Sequence, residues 1–194
     1  MKDAPWVKAM NEDIDVIEKN QTWDLVDIPG DKTYIGFKWV YKTKLNENGE
    51  LEKNKARLVV KGYAHKYGVD CDETFAYVAR MDTMRAVLAI ATQKQWHGYQ
   101  MDAKYAFLNG ILEEGVYVDQ QPCYTVKGHE KKVYKMKKAL YGLKRALRAL
   151  HSRIDSYIIN NCFSKSNNEP TLYVKTEQGK ILMLCLYVDD MIYT

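Results

Sequence analysis

Asp189 and Asp190 stand side by side at the end of an apolar run, Ile181-Leu182-Met183-Leu184-Cys185-Leu186-Tyr187-Val188, and Met191-Ile192-Tyr193 then resumes apolar character. A strand of that composition is expected to be buried on both faces. Two adjacent carboxylates at its tip read as a tight turn that lifts charge out of a core. Like charges near a low dielectric are costly unless a cation neutralises them. A solvent-exposed Asp-Asp turn accounts for the pair equally well, because aspartate is a natural turn former. Asp102 shifts that balance. It ends a second strand-like stretch, Tyr99 to Ala103, and begins a chain reversal 87 positions before Asp189. Three carboxylates on two strand ends can bind a pair of Mg²⁺ ions. One ion would lower the pKa of an attacking hydroxyl, and the other would neutralise leaving phosphate oxygens. In-line phosphoryl transfer asks little more of a protein than such positioning.

The elements that must position these residues can be read from periodicity. Pro5 to Asn20 has apolar residues at helical spacing (Trp6, Met10, Ile14, Ile17), with Asp3 as its cap. A strand is expected at Trp23 to Val26, followed by a turn at Pro29-Gly30-Asp31. Phe37 to Leu45 alternates, with Phe37, Trp39, Tyr41, Thr43 and Leu45 on one face and Lys38, Val40, Lys42 and Lys44 on the other. After the turn signal Asn46-Glu47-Asn48-Gly49, Lys55 to Tyr63 returns with Lys55, Arg57, Val59, Lys61 and Tyr63 on one face. A hairpin with a cationic surface on each strand follows. Asp82 is expected to cap a helix to about Gln95, buried through Met84, Val87, Leu88 and Ala91. Ala106 to Leu112 should bend into a helical turn near Gly110. Val116 to Val118, Val133 to Lys135 and Leu172 to Thr176 read as strands, and Leu140 to Asn161 as a helix. Irregular alternation with hairpins favours α+β over a doubly wound parallel sheet.

Charge points to a polyanion. The 194-residue chain has a net charge of only +4, 46% hydrophobic and 28% charged residues. Yet residues 32–66 carry nine Lys/Arg against three acids, and residues 127–153 carry ten against Glu130 alone. The remainder is acidic by 11. Two basic blocks in an acidic chain suggest two surfaces that face phosphates, although solvated lysine faces without a partner have the same composition. No apolar run approaches a membrane span, and no secretory core opens the sequence. Cys71, Cys123, Cys162 and Cys185 are too scattered for a structural zinc site.

Several blocks together carry a family resemblance. Tyr187-Val188-Asp189-Asp190 looks like the Y-x-D-D signature of reverse transcriptases. Gln100-Met101-Asp102-Ala103-Lys104-Tyr105-Ala106-Phe107-Leu108-Asn109-Gly110 resembles the first catalytic motif of the copia-type retrotransposon class. Lys55-Ala56-Arg57-Leu58-Val59-Val60-Lys61-Gly62 is similar to that class's fingers motif. So are Lys38-Trp39-Val40-Tyr41-Lys42 and Leu140-Tyr141-Gly142-Leu143-Lys144, and Asp72-Glu73-Thr74-Phe75 and Thr22-Trp23 also fit.

The resemblance implies an RNA-directed DNA polymerase fragment with fingers and palm but no thumb or RNase H. Residues 1–98 would be mainly fingers, 99–120 and 165–194 mainly palm, and 121–164 a fingers/palm helix region. It makes Asp102, Asp189 and Asp190 catalytic and metal-binding, with the Ala103 backbone carbonyl beside them, for two Mg²⁺ ions or alternatively Mn²⁺. Lys42 and Arg57 would clamp a deoxynucleoside triphosphate. Phe107 takes the steric-gate position, and Gly142 and Lys144 lie where nucleotide and template meet. Implied partners are an RNA or DNA template with primer, and polyprotein neighbours: integrase upstream, thumb and RNase H downstream. The implied location is an intracellular particle or the nucleus.

The class usually has Gln, Pro and Trp where Arg145, Leu147 and Leu150 stand. His65, Cys71, Tyr77, Cys123 and Tyr105 also depart from its pattern. A catalytically silent remnant that binds nucleic acid is therefore the competing reading. An unrelated Mg²⁺ phosphohydrolase would leave the basic hairpin unexplained.

Overall fold

A computed structural model describes residues 4–30, 32–64 and 77–194. The expected Asp3 cap, Asp31 in its turn, His65, Cys71 and the Asp72-Glu73-Thr74-Phe75 block lie outside the described residues. In chain order the elements are α1 (Ala4–Lys19), β1 (Trp23–Val26), β2 (Phe37–Leu45), β3 (Leu51–Val60), α2 (Met81–Gln93), β4 (Tyr99–Asp102) and β5 (Ile111–Val118). They continue with β6 (Val133–Lys138), α3 (Ala146–Asn160), β7 (Ser164–Lys165), β8 (Leu172–Glu177), β9 (Lys180–Tyr187) and β10 (Asp190–Tyr193). Every ladder between these strands is antiparallel, the mixture of helices and antiparallel sheets that the sequence implies. No described helix is long and apolar enough to cross a membrane.

The chain forms two compact units, Met1–Glu73 with Ile111–Ala146, and Thr74–Gly110 with Leu147–Thr194. In the first, β2 and β3 form a hairpin and β1-β6-β5 form a three-stranded sheet. Helix α1 buries Ala9, Met10, Ile14 and Ile17, the stripe that its periodicity predicts. Ala9 and Met10 pack on Ala56 of β3, with Trp39 and Tyr124 alongside. The Asp13 carboxylate accepts a hydrogen bond from the Leu58 N–H at 2.8 Å. Helix α1 thereby satisfies a backbone donor of β3 that β2 does not reach, which protects that edge. Thr22 is fully buried; its hydroxyl donates to the Ile17 carbonyl at 2.8 Å. Its own carbonyl accepts from Lys137 and Lys138, and Trp23 stacks on Tyr134 at 4.4 Å. The Thr22-Trp23 block therefore ties α1 to the sheet.

The second unit is a five-stranded sheet, β4-β10-β9-β8-β7. Its core joins Ile158 of α3 to Tyr173, Leu184 and Leu186, with Ile154, Phe163, Met191 and Tyr193 around them. The consecutive burial of Met183 to Leu186 matches the expectation of a strand covered on both faces, but the strand ends do not: Ile181 and Tyr187 are 45% and 40% exposed.

Three local expectations are corrected. The helix expected from Leu140 starts only at Ala146, because Gly142 adopts φ +89°, which no α-helical residue takes. Asp82 lies inside the first turn of α2 rather than capping it; Arg80 holds the cap position with no side-chain hydrogen bond. Leu88, expected in the buried stripe, is 44% exposed, while Val87 and Ala91 are buried.

Candidate functional site

The aspartates are positioned by the β4–β10 edge of the second unit's sheet. Strand β10 pairs with β4 so that Asp190 lies opposite Asp102 and Met191 opposite Met101. One step further, the Ala103 N–H donates to the Asp189 carbonyl at 2.9 Å. In an antiparallel ladder, hydrogen-bonded and non-hydrogen-bonded pairs alternate. The Ala103–Asp189 bond makes Asp102–Asp190 the non-hydrogen-bonded pair, the one whose α-carbons approach to about 4.5 Å and whose side chains lie closest. Directly opposed carboxylates repel. Gln100 offsets part of this by donating its side-chain amide to Asp190 Oδ1 at 3.3 Å. Oxygen donors of this kind suit a hard divalent cation, so the pair fits such an ion. Among the described residues, no three or more His, Cys, Asp or Glu side chains are grouped to hold a metal. The backbone brings Asp189 to the site through its carbonyl.

The turn that carries this pair is strained. Tyr187 pairs with Asp190, leaving Val188-Asp189 as a two-residue loop, and Val188 has φ +58°. Positive φ at the first loop residue alone is the pattern of a type II′ turn, which normally has glycine there. A β-branched residue in this region costs about 1–3 kcal/mol. Strain of that size at the tip of the Y-x-D-D block is a conformational feature that composition does not reveal.

Phe107 lies beyond the end of β4. Tyr105 takes φ +52°, and a single 3₁₀ turn spans Ala106–Asn109 with Ala106 and Leu108 buried. Phe107 is half-buried. The turn ends at Gly110, where a Cβ would lie 2.8 Å from the Leu150 backbone nitrogen. A helical turn is therefore present before Gly110 but is shorter than the expected Ala106 to Leu112, because contact with α3 ends it and Ile111 already begins β5.

The phosphate-binding candidates belong to the first unit. The β2–β3 register sets Lys42 opposite Lys55 and Val40 opposite Arg57. The two cationic surfaces expected on separate strands thus form one face, with Lys38, Lys42, Lys44, Lys55 and Arg57 together. The turn fixes this register: Asn46 Oδ1 accepts from the N–H groups of Asn48 and Glu50 at 3.0 and 2.9 Å. Burial, then the neighbouring charges of Arg57 and Lys44, pull the Lys55 ammonium below its usual range. Lys55 is a candidate that sequence reasoning did not single out; counting across the turn would have placed it opposite Lys42.

Two sequence blocks far apart in the chain meet at the end of this hairpin. The Val60 N–H donates to the Tyr141 carbonyl at 2.8 Å. A Cβ on Gly142 would lie 2.1 Å from the Val60 carbonyl oxygen, and one on Gly62 would lie 2.0 Å from that of Gly142. Both glycines are needed for this backbone crossing. The Arg57 guanidinium lies 4.3 Å over the Tyr141 ring, and Lys144, two residues beyond Gly142, is exposed. In the second basic block, Lys137 pairs with Asp24 at 2.8 Å and Lys132 with Asp27 at 3.6 Å, so these two cations have acidic partners within the unit.

Residues 20–194 match the reverse transcriptase (RNA-dependent DNA polymerase) family. The chain is 39% identical, over 96% of its length, to the retrovirus-related Pol polyprotein from transposon TNT 1-94 of Nicotiana tabacum. It is 38% identical over its whole length to that from transposon RE1 of Arabidopsis thaliana. A match of 28% identity over 96% of the chain is found with the transposon Ty1-BL Gag-Pol polyprotein of Saccharomyces cerevisiae. The chain spans 14%, 13% and 10% of the lengths of these relatives.

Proposed function

The chain belongs to the reverse transcriptase (RNA-dependent DNA polymerase) family, and from that premise we propose that it forms the fingers and palm of an RNA-directed DNA polymerase from a copia-type element. The first unit would be fingers and the second palm, with the segment 111–146 belonging to the fingers. The observation that carries this reading is the in-register pairing of Asp102 with Asp190. Two strands that deliver opposed carboxylates to one face give a place for charge neutralisation that a structural sheet would avoid.

Asp102, Asp189 and Asp190 would hold two Mg²⁺ ions, with the Ala103 carbonyl contributing a further oxygen. When bound, the ions would supply nucleophile activation and neutralisation of phosphate charge. The protein's own work is positioning. The Ala103–Asp189 hydrogen bond fixes the strand end, and the strained Val188 turn holds Asp190 opposite Asp102. Phe107, five residues after Asp102 and anchored by the buried Ala106 and Leu108, would exclude a ribose 2′-OH. Lys42, Lys55 and Arg57 would bind triphosphate oxygens by charge-assisted hydrogen bonds, with Gly142 and Lys144 beside the templating pair. The basic segment 127–153 would contact nucleic-acid backbone rather than base edges. The partners of this reading are a primed RNA or DNA template and deoxynucleoside triphosphates, with the remaining polyprotein domains acting in cis.

Single-nucleotide extension of a labelled primer, run with Mg²⁺ titration calorimetry, tests this. Incorporation and Mg²⁺ binding should both disappear in Asp102→Asn and Asp190→Asn. Incorporation that survives Asp102→Asn refutes the assignment. Mg²⁺ binding without incorporation in the unaltered chain would favour a silent remnant.

A further inference from the structure

The placement of the Arg57 guanidinium over the Tyr141 ring is explained neither by core packing nor by the roles given above. Arg57 shares its face of the hairpin with Lys42 and Lys55, and its guanidinium carbon lies 4.3 Å from the Tyr141 ring centroid. A guanidinium lying over a ring gives its face to the π-system and keeps its edge N–H groups available for a planar, two-point contact with anionic oxygens. Lysine, a point charge on a flexible stem, gains no such orientation.

The ring is itself held in place. The Tyr141 carbonyl accepts from Val60 at 2.8 Å. The next residue, Gly142, crosses the strand so closely that a Cβ there would sit 2.1 Å from the Val60 carbonyl oxygen and 2.6 Å from Val59 Cγ1. Val60 lies on the strand that carries Arg57. Ring and guanidinium are thus anchored to one rigid piece of backbone, three residues apart on β3. The glycine crossing fixes the distance between them.

We propose that Tyr141 is a positioning residue for Arg57, orienting the guanidinium so that its edge engages the phosphate oxygens of a nucleotide. This deepens the proposed function and rests on its assignment of the hairpin as a phosphate-binding surface. Tyr141 itself need not touch the ligand. The two-glycine crossing then has a purpose beyond connecting strands: it delivers an aromatic platform under one cation of three.

The test uses inorganic tripolyphosphate as ligand, with affinity measured by calorimetry at low salt on the 194-residue chain. Tyr141→Leu should weaken binding about threefold to tenfold, and Tyr141→Phe, which keeps the ring, should stay within about twofold. In an Arg57→Lys background, Tyr141→Leu should have no further effect, because lysine has no plane to orient. A general loosening of the hairpin would instead weaken binding equally in both backgrounds, and that additive result overturns the proposal. A parallel titration with oligothymidylate separates nucleotide from backbone phosphate. Coupling confined to the oligonucleotide overturns the nucleotide assignment. If the unaltered chain binds neither ligand, the phosphate-binding reading of the hairpin falls, an outcome distinct from binding without Tyr141–Arg57 coupling.

Discussion

The glycine crossing at the end of the hairpin allows two sources of destabilisation to be separated. Gly62 has a close contact without a left-handed backbone: a Cβ would lie 2.0 Å from the Gly142 carbonyl oxygen. Gly128 has the reverse, φ +83° with nothing within 4 Å. Gly142 has both, and Gly36 neither, its nearest neighbour being the flexible Lys61 chain at 3.8 Å. Left-handed φ costs a non-glycine residue about 1–2 kcal/mol. Forcing a methyl into occupied backbone costs about 1–3 kcal/mol. Gly128→Ala should therefore lose about 1–2 kcal/mol, Gly62→Ala about 1–3, and Gly142→Ala their sum, about 2–5. Gly36→Ala should be neutral or slightly stabilising, since alanine restricts the unfolded chain. With about 2–4 °C per kcal/mol for a chain of this size, Gly142→Ala should lower the melting temperature by roughly 4–20 °C. Urea denaturation followed by far-UV circular dichroism gives the free energies. The reasoning fails if Gly62→Ala is no more destabilising than Gly36→Ala, because a genuine 2.0 Å overlap cannot be accommodated without cost.

Further outcomes follow from the same geometry. Asp190→Asn, by removing one of two opposed carboxylates, should stabilise the metal-free chain by up to about 1 kcal/mol, and the rise in melting temperature expected of the unaltered protein with Mg²⁺ should be absent from it; equal Mg²⁺ stabilisation of both would disprove the site. Val188→Gly should relieve turn strain and leave stability unchanged or about 1 kcal/mol higher, whereas a clear loss in a melt would show that the valine side chain has a packing role. Burial raises the Asp13 carboxyl, outweighing the Leu58 hydrogen bond and the charges of Arg57 and Lys55. Its protonated form is thus favoured by the fold, and the stability it contributes is complete below the ordinary carboxylate range and lost as pH rises through the elevated folded value. Asp13→Asn, which keeps an acceptor for Leu58, should flatten that part of the pH profile, and Asp13→Ala should cost about 1–3 kcal/mol by orphaning the Leu58 N–H; identical pH profiles for Asp13→Asn and the unaltered chain would refute the burial argument.

Much of this was legible because the relevant signals are local. Alternation in Phe37 to Leu45 reveals a strand, Asn46 to Gly49 a turn, and the carboxylates after Val188 a chemically anomalous tip. What escaped depends on contacts between distant segments. A helix from Leu140 is a fair reading of leucine spacing, but the Gly142 conformation is set by the approach of Val60, about 80 positions earlier. Lys55 looked like one lysine among many until the hairpin register placed it opposite Lys42. Leu88 fits the buried stripe of α2 by spacing, yet the neighbouring sheet covers only Val87 and Ala91 of the apolar residues there. Tyr141 gave no sign of a link to Arg57, because a stacking distance has no sequence period.

The position of β10 has a consequence for biosynthesis. Among the described residues it is the tenth strand in chain order, yet it occupies an interior slot, between β4 and β9. Strand β4 leaves the ribosome roughly ninety residues earlier and, among the described residues, has no other partner in that sheet. The chain meanwhile diverts through residues 111–146, which belong to the other unit. Pairing that must wait for such distant segments is slow. Asp102 therefore meets Asp190 only when the sheet closes. A nascent or partly folded chain has both residues but not the opposed pair, so the proposed metal-binding pair cannot be assembled ahead of the fold that contains it.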